Sequence, residues 1–168
     1  MSLSSRVIFI EFARPDISEF IQLKMSIESH KRNYGYHIID LIDIHPLKQK
    51  GIEGEQLLET LFSEWDKPTT PKIYSPPEDG SWSDYQTDLE DATNLAVLVL
   101  KGGGSVGHSV DTIPHEIAMS MVDKFAKLFK NPKAYIGMGL GSQDYAFQWG
   151  TVLIDANNAG ILWVVEDD

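Results

Sequence analysis

The sequence predicts a mixed α/β (α+β) fold in a single domain over residues 1–168, and three observations carry that prediction. Ile113, Ile117, Ala118, Met121, Val122, Phe125, Leu128 and Phe129 recur at three- and four-residue spacing, which lays one broad apolar stripe along a helix. Arg6 to Phe12, Tyr36 to Ile44 and Leu95 to Leu100 are runs rich in Val, Ile and Leu, as expected for strands covered on both faces. Thr151 to Asp155 and Ile161 to Val165 flank Asn157-Asn158-Ala159-Gly160, whose Asn and Gly tolerate positive φ, so the chain closes on a β-hairpin.

Taken in order, Arg6 to Phe12 is a strand broken by Ala13-Arg14-Pro15. Asp16 then stands as N-cap with Glu19 three residues on, opening a helix that carries Ile17, Phe20, Ile21 and Ile27 to about Ser29. Tyr36 to Ile44 is the second strand, ended by Pro46, and Leu47 to Gly54 is a loop. A helix from Glu55 to Trp65 puts Leu57, Leu58, Leu61, Phe62 and Trp65 on one face. From Asp66 to Asp91 the periodicity is lost among Pro68, Pro71, Pro76, Pro77 and Gly80, which predicts a long irregular loop.

Leu95 to Leu100 follows as the central strand, stopped by Gly102, Gly103, Gly104 and Gly107. The striped helix starts near Thr112, with Pro114 in its first turn, and ends at Asn131-Pro132. Ala134 to Leu140 is a strand weakened by Gly137 and Gly139; Tyr145 to Gly150 is a short lead-in to the hairpin. The resulting order, β-α-β-α-β-α-β-β-β, predicts a mixed sheet of about five to six strands, parallel early and antiparallel at the end, with three helices packed on it.

Charge is the clearest global signal. The chain holds 25 Asp and Glu against 14 Lys and Arg, a net of −11. Residues 1–50 have seven bases and six acids (+1), residues 51–100 two and eleven (−9), and residues 101–168 five and eight (−3). A negative field of this size argues against nucleic acid as partner and attracts a basic protein. No apolar run approaches the roughly 18 residues of a membrane span. The start of the chain lacks a signal-peptide core, so the expectation is a cytoplasmic protein with no membrane partner. The absence of cysteine excludes disulfides, thiolate metal sites and thiol nucleophiles.

Catalytic motifs fail on inspection. Gly102-x-Gly104-x-x-Gly107 matches a dinucleotide fingerprint, and Gly102 to Ser109 a phosphate-binding loop in which His108 replaces the lysine. The following helix begins several residues too late for either. His115-Glu116 lacks the second histidine four residues on, where Met119 stands. Ser105 or Ser109, Asp111 and His115 contain the residue types of a triad without a nucleophile elbow. The reading is therefore a protein that is not an enzyme, with no catalytic residues, no cofactor and no metal. The competing reading is a small enzyme or ligand-binding domain that uses the Gly102–His115 corner.

Glu78 to Asp91 differs in kind: it holds six carboxylates and no base, with Trp82 and Tyr85 among them. Rings set between carboxylates suit a protein interface, the rings anchoring and the acids steering a basic partner. Asp79, Trp82, Asp84, Tyr85, Asp88, Glu90 and Asp91 are the candidate partner-binding residues. The bland alternative is a solvated acidic loop with Trp82 tucked into the core.

A small, acidic, cysteine-free chain with an acidic-aromatic loop resembles, in overall character, the immunity proteins of bacterial polymorphic toxin systems, including contact-dependent inhibition. The resemblance implies a chain that binds and neutralises a cognate basic toxin domain, such as a nuclease, its carboxylates standing in for substrate phosphates. It implies no oligomeric state.

Overall fold

The computed structural model describes residues 12–31, 35–64, 81–102, 113–137 and 147–166. Five strands form one sheet: β1 (Gly35–Asp43), β2 (Gln86–Thr87), β3 (Lys133–Tyr135), β4 (Phe147–Ile154) and β5 (Asn158–Glu166). Their order across the sheet is β1-β5-β4-β3-β2, and every neighbouring pair is antiparallel. Among the described residues five helices accompany them: α1 (Ser18–Ser29), α2 (His45–Gln49), α3 (Gly54–Glu64), α4 (Leu89–Leu100) and α5 (His115–Ala126). A 3-10 turn spans Trp82–Tyr85. The α+β class stands; the parallel portion and the limit of three helices do not.

Strand alternation divides the core in two. Ile39, Leu41, Leu153 and Leu162 point to one face and meet Phe20, Leu23 and Ile27 of α1, Ala92, Ala96 and Leu100 of α4, and Met121, Val122 and Phe125 of α5. Ile42, Ile154, Ile161 and Trp163 point to the other and meet Leu47 of α2, Leu57, Leu58, Leu61 and Phe62 of α3, and Trp82. Both faces of this antiparallel sheet are therefore covered. That explains why Ile161-Leu162-Trp163-Val164 is buried throughout instead of alternating with polar residues.

Two glycines make the packing possible. A Cβ at Gly150 would meet the Leu162 carbonyl oxygen at 2.2 Å and the Trp163 ring at 2.7 Å. On the opposite face, a Cβ at Gly160 would stand 2.5 Å from the Phe129 ring and 3.0 Å from that of Phe125.

The hairpin forms, with Ile154 paired to Ala159, but its turn is Asp155 to Asn157. Asn158, Ala159 and Gly160 already belong to β5, and none of Asn157 to Gly160 adopts the positive φ on which the predicted turn rested. Asp155 organises its turn: one carboxylate oxygen accepts the N–H of Asn157 (2.8 Å) and Asn158 (2.7 Å), the other that of Lys130 (2.9 Å) beyond the end of α5. β4 is one continuous strand, so the separate lead-in at Tyr145 to Gly150 merges into it from Phe147 onward.

The largest correction concerns Leu95 to Leu100, which is the second half of helix α4 rather than a central strand. Asp88 caps this helix by accepting the N–H of Asp91 at 2.8 Å, and Glu90 and Asp91 complement the dipole in its first turn. Ala92, Ala96, Val99 and Leu100 then recur on the buried face. A continuous apolar run fits a buried helix as well as a buried strand, and here the cap upstream decides. The predicted irregular loop consequently ends before Trp82 instead of at Asp91.

Smaller differences follow from local chemistry. α1 is capped by Ile17, not Asp16, with no side-chain cap bond. Pro46 does not stop the chain but occupies the first turn of α2, where its missing N–H is not needed. Of the predicted strand at Ala134 to Leu140, Ala134 and Tyr135 belong to β3, Ile136 and Gly137 lie past its end, and residues 138–140 fall outside the described residues. The predicted strand at Arg6 to Phe12 lies outside the described residues except at Phe12; Ala13 makes an antiparallel bridge to Asp43. Residues 65–80, with Trp65 at the end of the predicted second helix and Asp79, and the Gly102–His115 corner beyond Gly102 and before Ile113 also lie outside them.

Candidate functional site

Helix α3 turns Leu57, Leu58, Leu61 and Phe62 toward the sheet, which leaves Glu55, Gln56 and Glu59 outward, with Glu53 exposed just before it. The 3-10 turn sits against this outer edge. Ser81 and Asp84 cap each other reciprocally there, the Asp84 carboxylate accepting the Ser81 N–H at 2.9 Å. Glu55 reaches across from the first turn of α3 and accepts the N–H of Trp82 and of Ser83, each at 2.8 Å. Its carboxyl is held below the usual glutamate range, first by the Ser83 hydroxyl and then by the backbone N–H groups of Ser83 and Trp82.

The turn drives Trp82 inward. Its ring is 4% exposed and packs edge-on against Phe62 at 4.9 Å. Tyr85 is half-buried, 6.1 Å from Trp82, and its carbonyl accepts the Ile136 N–H. Trp82 is thus a core residue rather than a surface anchor. Asp84, Asp88, Glu90 and Asp91 are all exposed. Three of them also have structural bonds: Asp84 and Asp88 as caps, and Asp91 as acceptor of the Thr87 hydroxyl at 3.4 Å.

Folding therefore joins two acidic stretches, Glu53 to Glu59 and Asp84 to Asp91, through the Glu55 bonds. The ion pairs among the described residues are Arg14–Asp40, Lys24–Glu28, His45–Asp43 and Lys127–Asp123, all outside these stretches. Leu89 stands within the second stretch and is 39% exposed. Sequence reasoning missed both Glu55 and Leu89. The first joins its partners across 27 residues of chain, with no local signal; the second was hidden by reading the helix start as loop.

Beside this face, between α2, α3, β3 and the β4–β5 turn, opens a cleft of about 540 Å³. Ile44, Leu57, Leu58 and Ile154 contribute its apolar lining. Lys48, Lys133, Glu55 and Asp155 stand around it, and Tyr135 forms part of its wall. Burial, and secondarily the charge of Glu55, raises the Tyr135 phenol above its ordinary value, so it remains a donor at neutral pH.

Among the described residues no three His, Asp or Glu side chains come together as a metal site would require, and no helix is long and apolar enough to cross a membrane. Of the residues of the Gly102–His115 corner, Gly102 adopts φ +88° and His115 is exposed at the start of α5. No protein-family model, no curated protein and no solved structure matches the chain.

Proposed function

We propose that the chain is a protein-binding domain for a basic partner, acting as the immunity component that neutralises a bacterial toxin domain. The observation that carries this reading is the acidic face on which Glu53, Glu59, Asp84, Asp88, Glu90 and Asp91 stand exposed with no ion pair to another described residue. Exposed carboxylates clustered on one face steer and orient a cationic surface. The caps at Asp84 and Asp88 fix the backbone beneath them, so little ordering entropy is lost on docking. Leu89, between Asp88 and Glu90, takes the apolar anchor position that the sequence suggested for Trp82.

The test uses a variant that spares the caps: Glu53→Gln, Glu59→Gln and Glu90→Gln together. The native chain should retain a basic protein at low salt and lose it progressively at high salt, because screening weakens exposed charge pairs. The triple variant should associate about tenfold more slowly and protect poorly when co-expressed with that partner. Equal retention and equal protection by the two chains would remove the acidic face from the mechanism.

A further inference from the structure

The cleft beside the acidic face has the size of a small-ligand pocket, and the charged groups around it are not equivalent. Glu55 accepts the N–H groups of Trp82 and Ser83, and Asp155 those of Lys130, Asn157 and Asn158. Both carboxylates are thus engaged by backbone donors.

The cationic side is open. Lys48 gives one N–H to the Ala156 carbonyl at 2.8 Å and forms no ion pair among the described residues. Lys133, at the start of β3, has neither an ion pair nor a side-chain hydrogen bond among the described residues. Tyr135 is 5% exposed as a residue and lines the cleft; no described residue accepts from its hydroxyl, which is not among the buried polar atoms left without a partner and so stays accessible from the cleft. An accessible phenol with no acceptor from its own chain can donate to a molecule in the cleft. Two ammonium groups and one phenol thus remain as donors over an apolar floor, in a chain whose net charge is −11.

We propose that this cleft binds a small organic anion, in which an apolar body lies against Ile44, Leu57, Leu58 and Ile154 and an oxyanion accepts from Lys48, Lys133 and Tyr135. The shared chemistry is an anionic oxygen group, carboxylate or phosphate, on a compact apolar frame. Nothing in it depends on a protein partner.

The full chain, labelled with ¹⁵N, is titrated with benzoate and with phenyl phosphate, and with benzylamine and benzyl alcohol as cationic and neutral counterparts. Saturable shifts at the amides of Ser83, Lys133 and Tyr135 are expected with at least one anion. Lys133→Gln and Tyr135→Phe, each with an otherwise native spectrum, should weaken that anion about tenfold, the loss of one charge-assisted hydrogen bond. If both anions fail to saturate below about 10 mM, the proposal is overturned. Equal binding of benzylamine or benzyl alcohol, or undiminished anion binding in both variants, overturns it as well. Because no partner protein is present, these outcomes are independent of the toxin-neutralising reading.

Discussion

The carboxylate of Glu55 accepts the backbone N–H of Trp82 at 2.8 Å, across 27 residues of chain, and takes the neighbouring N–H of Ser83 with its other oxygen. The start of α3 and the 3-10 turn are thereby joined into one edge. Replacing Glu55 by Gln keeps one acceptor and sets an amide N–H₂ against a backbone donor. Since the group is exposed and water competes for both bonds, the expected loss at pH 7 is on the order of 0.5–1 kcal/mol, measured as a lower urea midpoint.

The pH dependence of that loss has a defined sign. The folded chain holds Glu55 below its ordinary 4.5, so its contribution is fully present above about that value and is lost as pH falls through the lower folded value. The gap between the native chain and Glu55→Gln should therefore be constant from pH 7 to about 5 and close toward pH 3. Asp43, lowered chiefly by the backbone N–H of His45, adds a parallel acid-sensitive contribution that both proteins share. A gap that widens on acidification would contradict the assignment.

Trp82 lies 4% exposed against Phe62 in the core on the α3 side of the sheet. Trp82→Ala should cost about 3 kcal/mol or more, as for other large aromatic truncations in cores. Near-ultraviolet circular dichroism should lose the signal of a fixed indole. Trp82→Phe should recover much of the stability and leave association with a basic partner unchanged, since the ring is not on the acidic face.

How much of this was readable in the sequence depends on whether the deciding interaction is local. The Leu57–Phe62 face, the helix that buries Ala118, Met121, Val122 and Phe125, and the closing hairpin are short-range patterns and are present. In detail α5 ends at Ala126 with Ile117 44% exposed, and the hairpin turns at Asp155 to Asn157 because Asn158 to Gly160 are already in β5. Leu95 to Leu100 is apolar without alternation, and such a run has no period by which to choose between helix and strand. The signal that settles it is Asp88 followed three residues later by Asp91, a cap that an acidic, aromatic stretch disguised as loop. For the acidic face the deficit is different in kind. Its exposed carboxylates were visible as charge, but their joining through Glu55 and the inward turn of Trp82 are non-local.

The glycines separate two costs that composition cannot. Gly150→Ala places a methyl 2.2 Å from the Leu162 carbonyl oxygen and 2.6 Å from the Trp163 Cα, both backbone atoms of the adjacent strand that cannot swing away. The expected cost is about 3 kcal/mol, at the upper end for overpacking, with loss of the β4–β5 register as the alternative to strain. Gly51→Ala meets nothing within 4 Å and carries only the penalty of φ +78°, about 1–2 kcal/mol. Thermal melts of the two single variants should rank them in that order.

Thr151 is the buried polar side chain of the described core, and its hydroxyl donates to the Ala92 carbonyl of α4 at 2.7 Å. The bond fixes the first turns of α4 on β4, and those turns carry Asp88, Leu89, Glu90 and Asp91. Thr151→Val removes the donor while keeping the shape, at a cost of about 1 kcal/mol. Thr151→Ser keeps the donor and removes a methyl, at a similar cost of about 1 kcal/mol. Global stability alone therefore does not distinguish the two roles; local protection does. Amide hydrogen exchange in the first two turns of α4 should quicken in Thr151→Val more than in Thr151→Ser. Partner association should follow the same order, because the acidic face is only as rigid as the helix start that presents it. If the two variants exchange alike along α4, the helix is positioned by the packing of Ala92, Ala96, Val99 and Leu100 alone, and the hydroxyl contributes stability without orientation.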